Sequence, residues 1–301
     1  MARFAITAGA AALSVLGLAA VGAAPAAAQQ AAERPTFATT KVAGTDNVYI
    51  FRYLNHQSMF VVTSQGVIAT DPIGYVRREA SSVYVGEIKK VTDKPIKYVI
   101  YSHHHYDHIA GGKPFKDAGA VFIAHRRAKE RLAQIKDPYT ILPDETVDKK
   151  RTITLGDTTV ELSYVGLNHS DSTLVMRLPK QKIIFAVDFL PVASVPGRAM
   201  IDSYPIEWEA SVKRVLAMEW DRLIPGHPGP GGRLGTKQDA QALLAMLQDM
   251  SAEVKESARA GKCWDTAEKE VKLEKYVGWD GYAQGLPMVV RRYCGLWGRG
   301  T

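Results

Sequence analysis

The sequence predicts an α/β protein, a four-layer αββα sandwich with mixed sheets. Two β-rich halves follow one another along the chain, and each half also carries helical patterns. In addition, several apolar strand patterns end in side chains that bind metals. Because the ends of successive strands meet along one edge of an α/β sheet, we expect these side chains to lie close together.

The first half is predicted to open with an antiparallel meander and to continue with alternating helices and strands. Short strand-like runs separated by turn residues occupy residues 42–73. A helical pattern follows at 76–91, and the apolar run at 96–101 (IKYVIY) is typical of a buried strand. The rest of this half is predicted to form a helix at 113–118, a strand at 121–124 and a helix at 126–134.

The second half is predicted to contain three strands and two longer helices. The apolar runs at 159–165, 182–187 and 222–225 are the strands. Residues 206–218 and 236–260 have apolar side chains at helical spacing, which predicts helices that each bury one face.

The run SHHHYDHIAGG at residues 102–112 contains four metal-binding side chains within six residues. These are His103, His105, Asp107 and His108, and they directly follow the buried strand. Imidazole and carboxylate groups suit divalent cations and zinc in particular. A surface histidine tract is the alternative, but an Asp inside the run, two glycines behind it and a strand in front argue against it.

Three later strands each lead to a single further donor. His169 follows the first of them through Gly166, Asp188 ends the second, and His227 follows the third through Gly226. Five of the eight histidines therefore belong to this constellation.

The remaining histidines are His56, His104 and His125. His104 alternates with the donors, so its side chain should point away from them in a structural role. His56 and His125 are expected to be surface or hydrogen-bonded core residues, although His56 comes early enough in the fold to line a cleft.

With these residues in this order, the chain resembles the metallo-β-lactamase superfamily over about residues 42–247. The family pattern is His-x-His-x-Asp-His, then a lone His, a lone Asp and a final Gly-His. The resemblance implies two Zn²⁺ ions, the first held by His103, His105 and His169, the second by Asp107, His108 and His227, with Asp188 bridging both. It also matches Asp71 to a buried Asp that supports the site.

The resemblance further implies hydrolysis, in which metal-bound hydroxide attacks a carbonyl group and Asp107 orients the nucleophile or receives its proton. β-Lactamases of the cysteine-bearing subclass have Cys where this chain has Asp188, followed shortly by a Lys. Here Phe189, Leu190 and Pro191 follow instead. The pattern is more similar to glyoxalase II, lactonases and related esterases.

The predicted activity is therefore the opening of an ester, thioester, lactone or lactam. A true β-lactamase is the nearest alternative. Two alternatives from other classes are a mononuclear iron dioxygenase and a non-catalytic relay protein of the periplasm. Arg198, in the loop after Asp188, is a candidate contact for an anionic substrate.

The first residues carry the pattern of a secretory signal peptide. One charge, Arg3, precedes an apolar Ala-rich stretch, and small residues at 26–28 offer a cleavage site. We therefore expect a signal peptide at 1–28, a metallo-β-lactamase-fold domain at 29–262 and a C-terminal extension at 263–301. The expected location is periplasmic or secreted, without a stable membrane anchor.

The expected partner is a small-molecule substrate, and the composition gives no support for nucleic-acid binding. The net charge is +7, but Lys and Arg are scattered among Asp and Glu, so a nucleic-acid groove is not predicted.

The two cysteines, Cys263 and Cys294, either form a disulfide or stay as free buried thiols. The aromatic residues of the extension fold over the site as a substrate wall, contact another subunit in a homo-oligomer or simply dock on the surface of their own domain.

Overall fold

A computed structural model describes residues 1–2 and 34–301, apart from the side chain of Ala199. The chain divides into two compact units, Met1–Arg34 and Pro35–Thr301, and everything below concerns the second. The expected signal peptide lies outside the described residues. Within the described residues, no helix is both long and apolar enough to cross a membrane.

The larger sheet contains seven strands in chain order. Strands β1 to β4 pair antiparallel, as the meander pattern predicts, and β4 to β7 pair parallel. The strands are Phe37–Lys41, Val48–Tyr53, His56–Thr63, Gly66–Thr70, Ile96–Ile100, Val121–His125 and Glu145–Val147.

The second sheet contains five strands, in the order β12-β11-β10-β9-β8. All neighbours pair antiparallel except β11 and β12, which are parallel. The strands are β8 Lys150–Leu155, β9 Thr158–Tyr164, β10 Leu174–Leu178, β11 Ile183–Ala186 and β12 Arg222–Pro225.

Helices cover the outer face of each sheet, which confirms the predicted four-layer sandwich. One apolar core lies between the sheets, a second lies between the larger sheet and its helices, and a third lies between the smaller sheet and its helices. The α-helices are α1 Ala80–Val91, α2 Tyr106–Ile109, α3 Lys113–Asp117, α4 Arg126–Ile135, α5 Pro205–Leu216, α6 Lys237–Arg259, α7 Asp265–Glu270 and α8 Tyr282–Arg299. Short 3₁₀ helices occupy Gly197–Met200, Pro230–Gly232 and Glu274–Tyr276.

Several helices differ from the sequence prediction, and the short helices α2 and α7 were not predicted. Helix α1 begins at Ala80 rather than at residue 76, because Val76 has a φ of +49°, which a right-handed helix excludes. Helix α8 was not predicted, since three glycines, a proline and several aromatics interrupt its polar pattern. It packs against α6, and Cys263 and Cys294 form a disulfide that ties it to the start of the extension.

Candidate metal centre

The loop after β5 brings the first group of donors together with His169. His103 is fully buried, and its Nδ1 lies 2.9 Å from the hydroxyl of Ser102. Its Nε2 therefore faces inward, 3.2 Å from Nε2 of His169. His105 presents Nδ1 instead, 2.8 Å from the same His169 atom. Three imidazole nitrogens thus converge on one point.

A second group of donors lies beside the first. The single turn of α2 carries Asp107 and His108, whose Oδ2 and Nε2 atoms are 3.5 Å apart. His227 follows β12, and its Nδ1 donates to the main-chain carbonyl of Asn55 over 2.7 Å, which leaves Nε2 free to face the group. His56 completes this group, with Nε2 3.2 Å from Oδ2 of Asp107.

The sequence predicts His56 as a surface or hydrogen-bonded core residue that comes early enough to line a cleft, and the structure buries it beside Asp107. It is 6% exposed and begins β3, directly after a tight turn. The main-chain amide of Gln57 donates to the carbonyl of Gly226, which holds this turn against the loop of His227. No periodicity in the sequence signals this contact, because it joins the two sheets.

Asp188 lies between the two groups. Its Oδ2 is 3.1 Å from Nε2 of His108 and 3.5 Å from Nε2 of His169, while Oδ1 is 3.3 Å from Nε2 of His227. The residue has a φ of +63°, a conformation that Asp adopts more readily than most residues. The residue after Asp188 is also held in place, because the indole N–H of Trp208 in α5 donates to the main-chain carbonyl of Phe189 over 2.8 Å.

The proximity of these groups strongly perturbs their pKa values. Burial lowers the pKa of His103 well below its usual range, and the neighbouring His105 and His169 lower it further. Burial also lowers the pKa of His108, but Asp188 and Asp107 outweigh it and raise the value to about 9. For Asp188, burial raises the pKa, yet His108 and His227 hold it well below its usual range. Positive charge is therefore stabilised around Asp188.

Metal ions fit these residues. Neither ring nitrogen of His108 nor Oδ1 of Asp188 makes a hydrogen bond within the described part of the chain, although all three atoms are buried. Donors bound to one tetrahedral zinc ion lie about 3.3–3.5 Å apart, since each is about 2.0–2.2 Å from the metal. The donor separations given above run from 2.8 to 3.5 Å, and the donor atoms of each group all lie within 4.8 Å of one another. The structure thus brings all seven predicted donors together as two adjoining sets.

Two further residues fix the donor loop. Asp71 is fully buried, and its Oδ1 accepts a hydrogen bond from the amide of Ser102 over 2.8 Å. Burial is the main cause that raises the pKa of Asp71 to about 6. Arg77 donates from Nη2 to the carbonyl of Asp107 over 2.7 Å. Both contacts hold the main chain that presents the donors.

His104 and His125 lie outside both sets. His104 contacts the hydroxyl of Ser172 through Nδ1 over 2.8 Å. His125 stacks on Tyr164, and its Nε2 lies 3.0 Å from the carbonyl of Asp148. Sequence reasoning also missed Asp202, whose carboxylate contacts His105 from outside the donor sets.

A cavity of about 440 Å³ opens onto both donor sets. Arg198 and Asp280 contribute charges to its wall, and much of the remainder is apolar: Pro191, Val195, Pro196, Pro225 and Pro228. Asp280 belongs to the C-terminal segment and pairs with the loop after β11 through main-chain hydrogen bonds to Ala193 and Val195. The expected C-terminal extension therefore forms part of this cavity.

Comparison with known proteins agrees with this architecture. The family model of the metallo-beta-lactamase superfamily matches residues 75–227. The 2,4-dinitroanisole O-demethylase subunit alpha of Nocardioides sp. (strain JS1661) is 24% identical over 44% of this chain and 41% of that subunit, so the match spans less than half of this relative. A metallo-beta-lactamase type 2 of Bacillus cereus is 27% identical over 62% of this chain and 75% of that protein.

A solved structure, the metallo-beta-lactamase from Pontibacter korlensis, superposes with a TM-score of 0.62 at 21% identity. The match covers 70% of this chain and 99% of that one. The fold and the donor sets are those of a metal-binding hydrolase. The chain belongs to the metallo-beta-lactamase superfamily.

Proposed function

We propose that the protein is a secreted dinuclear-zinc hydrolase that opens an ester, thioester, lactone or lactam. The observation that carries this proposal is the position of Asp188 between two sets of donors, 3.5 Å from Nε2 of His169 in the first set and 3.1 Å from Nε2 of His108 in the second. One carboxylate so placed suits two metal ions that share a ligand.

Bound zinc would lower the pKa of water toward neutrality and polarise a carbonyl oxygen. His103, His105 and His169 would hold the first ion, Asp107, His108 and His227 would hold the second, and Asp188 would be shared between them. The side chain of Asp107 is 40% exposed and faces the cavity, so it is placed to orient water and to accept its proton. The cavity of about 440 Å³ has room for a small organic substrate.

Arg198 is the candidate residue for substrate recognition. Its side chain lines the cavity and makes no hydrogen bond or ion pair with the described residues. A cation in this position favours substrates that carry a carboxylate near the scissile bond. Asp280 on the same wall limits how much negative charge the cavity accepts.

A true β-lactamase is the second candidate, favoured by the 27% identity to the Bacillus cereus metallo-beta-lactamase. We rank it lower because Asp188 stands where the cysteine-bearing enzymes have Cys and because Phe189, Leu190 and Pro191 follow it without a Lys.

The test combines metal analysis with a substrate panel. We expect close to two zinc ions per purified chain and loss of activity after treatment with a chelator. The panel contains nitrocefin, homoserine lactones, thioesters, aryl esters and a phosphodiester, and we expect turnover of esters or lactones. A single tightly bound iron would favour oxygenation instead. A kcat/KM of about 10⁴ M⁻¹s⁻¹ or more for a β-lactam, with inert esters and lactones, would identify a β-lactamase.

A further inference from the structure

We propose that His56 is an additional ligand of the second metal ion, an inference that rests on the proposed dinuclear centre. His56, Asp107, His108 and His227 each offer one donor atom, and these atoms all lie within 4.8 Å of one another. The ring of His56 is 4.4 Å from that of His227 and 5.1 Å from that of His108, between centroids. The donor atom of His56 therefore belongs to the same set as those of Asp107, His108 and His227.

Asn55 sets the orientation of both His56 and His227. Its side-chain oxygen lies 2.9 Å from Nδ1 of His56, and its main-chain oxygen lies 2.7 Å from Nδ1 of His227. Both oxygens are acceptors, so each imidazole carries its proton on Nδ1 and has a lone pair on Nε2. Histidine ligands in metalloproteins are held in this way, with the distal N–H donated to a carbonyl or carboxylate oxygen.

In this tautomer, a bound cation would account for the contact between His56 and Asp107. Nε2 of His56 and Oδ2 of Asp107 are 3.2 Å apart, and in this tautomer both atoms present lone pairs. Two such atoms repel one another unless a positive charge lies between them. The separation equals that of two donors on one tetrahedral zinc ion, to within about 0.3 Å.

His56 changes the character of the second site. With it, the site has three imidazoles and a carboxylate even before Asp188 is counted, which is the full complement of a tetrahedral zinc ion. Structural zinc sites are closed in this manner, whereas catalytic sites keep a position open. With Asp188 counted at both sites, the second ion would have five donors and the first would have four, so the second metal should be the more firmly held of the two.

The competing role for His56 is that of a positioning residue. If its proton were on Nε2, His56 would donate to Asp107 and would touch no metal. A glutamine at this position could replace that donation through its amide, but it would not replace an imidazole as a zinc ligand. The two roles therefore predict different behaviour for one conservative variant.

The experiment compares the wild-type chain with His56→Ala, His56→Gln and the control His125→Gln. His125 is also a buried histidine, 3% exposed, but it lies outside both donor sets. Zinc content is measured by mass spectrometry after dialysis against graded chelator, and circular dichroism verifies folding. A zinc-loaded wild-type crystal adds a measurement that needs no variant, because anomalous scattering locates each zinc ion.

We expect two zinc ions in the wild type and in His125→Gln. We expect both His56 variants to bind the second ion more than about 100-fold more weakly than the wild type does. This loss is larger than the roughly 10–100-fold loss that typically follows removal of a residue that only orients a ligand. In the crystal, the second zinc should lie about 2.0–2.1 Å from Nε2 of His56.

Retention of wild-type affinity in His56→Gln, or a zinc ion out of reach of His56 Nε2, would overturn the proposal. A wild type that binds one metal overturns both this inference and the dinuclear centre. A wild type that binds two zinc ions but hydrolyses nothing in the panel overturns the proposed activity alone.

Discussion

Oδ2 of Asp202 lies 2.9 Å from Nε2 of His105, although the two residues are 97 positions apart in the sequence. This carboxylate keeps the proton of His105 on Nε2, so that Nδ1 presents its lone pair toward His169. Arg292 of α8 in turn donates two hydrogen bonds to the carbonyl of Ser203, the residue after Asp202. The C-terminal helix thus supports a residue that orients a candidate ligand.

Replacement of Asp202 should weaken the centre without removing a ligand. For Asp202→Ala we expect metal affinity or kcat/KM to fall by about 10–100-fold, and for Asp202→Asn we expect a smaller loss, because the amide oxygen still accepts a hydrogen bond. Chelator competition and steady-state kinetics measure both quantities. Asp221→Ala is the control, since that carboxylate is exposed and its nearest cation, Lys182, is 4.0 Å away. Equal losses in Asp202→Ala and Asp221→Ala would contradict this role.

The three residues at 104, 105 and 107 should respond differently to alanine. We expect His105→Ala and Asp107→Ala to abolish turnover while the fold stays largely intact. His104→Ala should keep metal and activity, at a cost of about 0.5–1.5 kcal/mol in the free energy of unfolding, because it removes the hydrogen bond between His104 and Ser172, whose hydroxyl keeps its contact with that of Ser170. Metal analysis, turnover and denaturant unfolding of the three variants provide the comparison. If His104→Ala lost metal as fully as His105→Ala, the assignment of donors along the loop would be wrong.

The disulfide should stabilise the C-terminal segment. It joins residues 31 positions apart, and closing a loop of this size in the unfolded chain contributes about 3–4 kcal/mol. We expect the Cys263→Ser, Cys294→Ser double variant to unfold at lower denaturant concentration by about that free energy. Because Asp280 lies between the two cysteines and lines the cavity, KM should rise as well. An unchanged unfolding midpoint would show that packing of α8 alone holds the segment.

His125 should make the protein sensitive to acid. Burial is the main cause that lowers its pKa below the ordinary value of 6.5, so the folded state binds a proton less readily than the unfolded state. Its contribution to stability is therefore complete above pH 6.5 and is lost as the pH falls. We expect the stability difference between wild type and His125→Gln to shrink from about pH 8 to about pH 5, as measured by denaturant unfolding. A difference that does not change with pH would rule out this titration.

The sequence by itself determined the layers and the chemistry of the donor loop. Both are local properties. The apolar periodicity of a strand or a helix can be recognised within a short window of sequence, and four of the donors occur within six residues: His103, His105, Asp107 and His108. The later donors could be predicted because each follows a strand that is recognisable on its own. Helix α8 could not, because its glycines and its proline hide a helix that packing against α6 stabilises.

Only the tertiary structure decided which other side chains reach the centre. His56 meets Asp107 across 51 residues, and Asp202 meets His105 across 97. Nothing in the local pattern around either residue differs from an ordinary turn. Such contacts depend on how the two sheets pack and on where the C-terminal helix holds the loop after β11. The free energy that fixes these positions comes from the burial of three separate apolar cores. The residues of these cores are spread along the chain, so the sequence around His56 or Asp202 carries no motif that would indicate the contact.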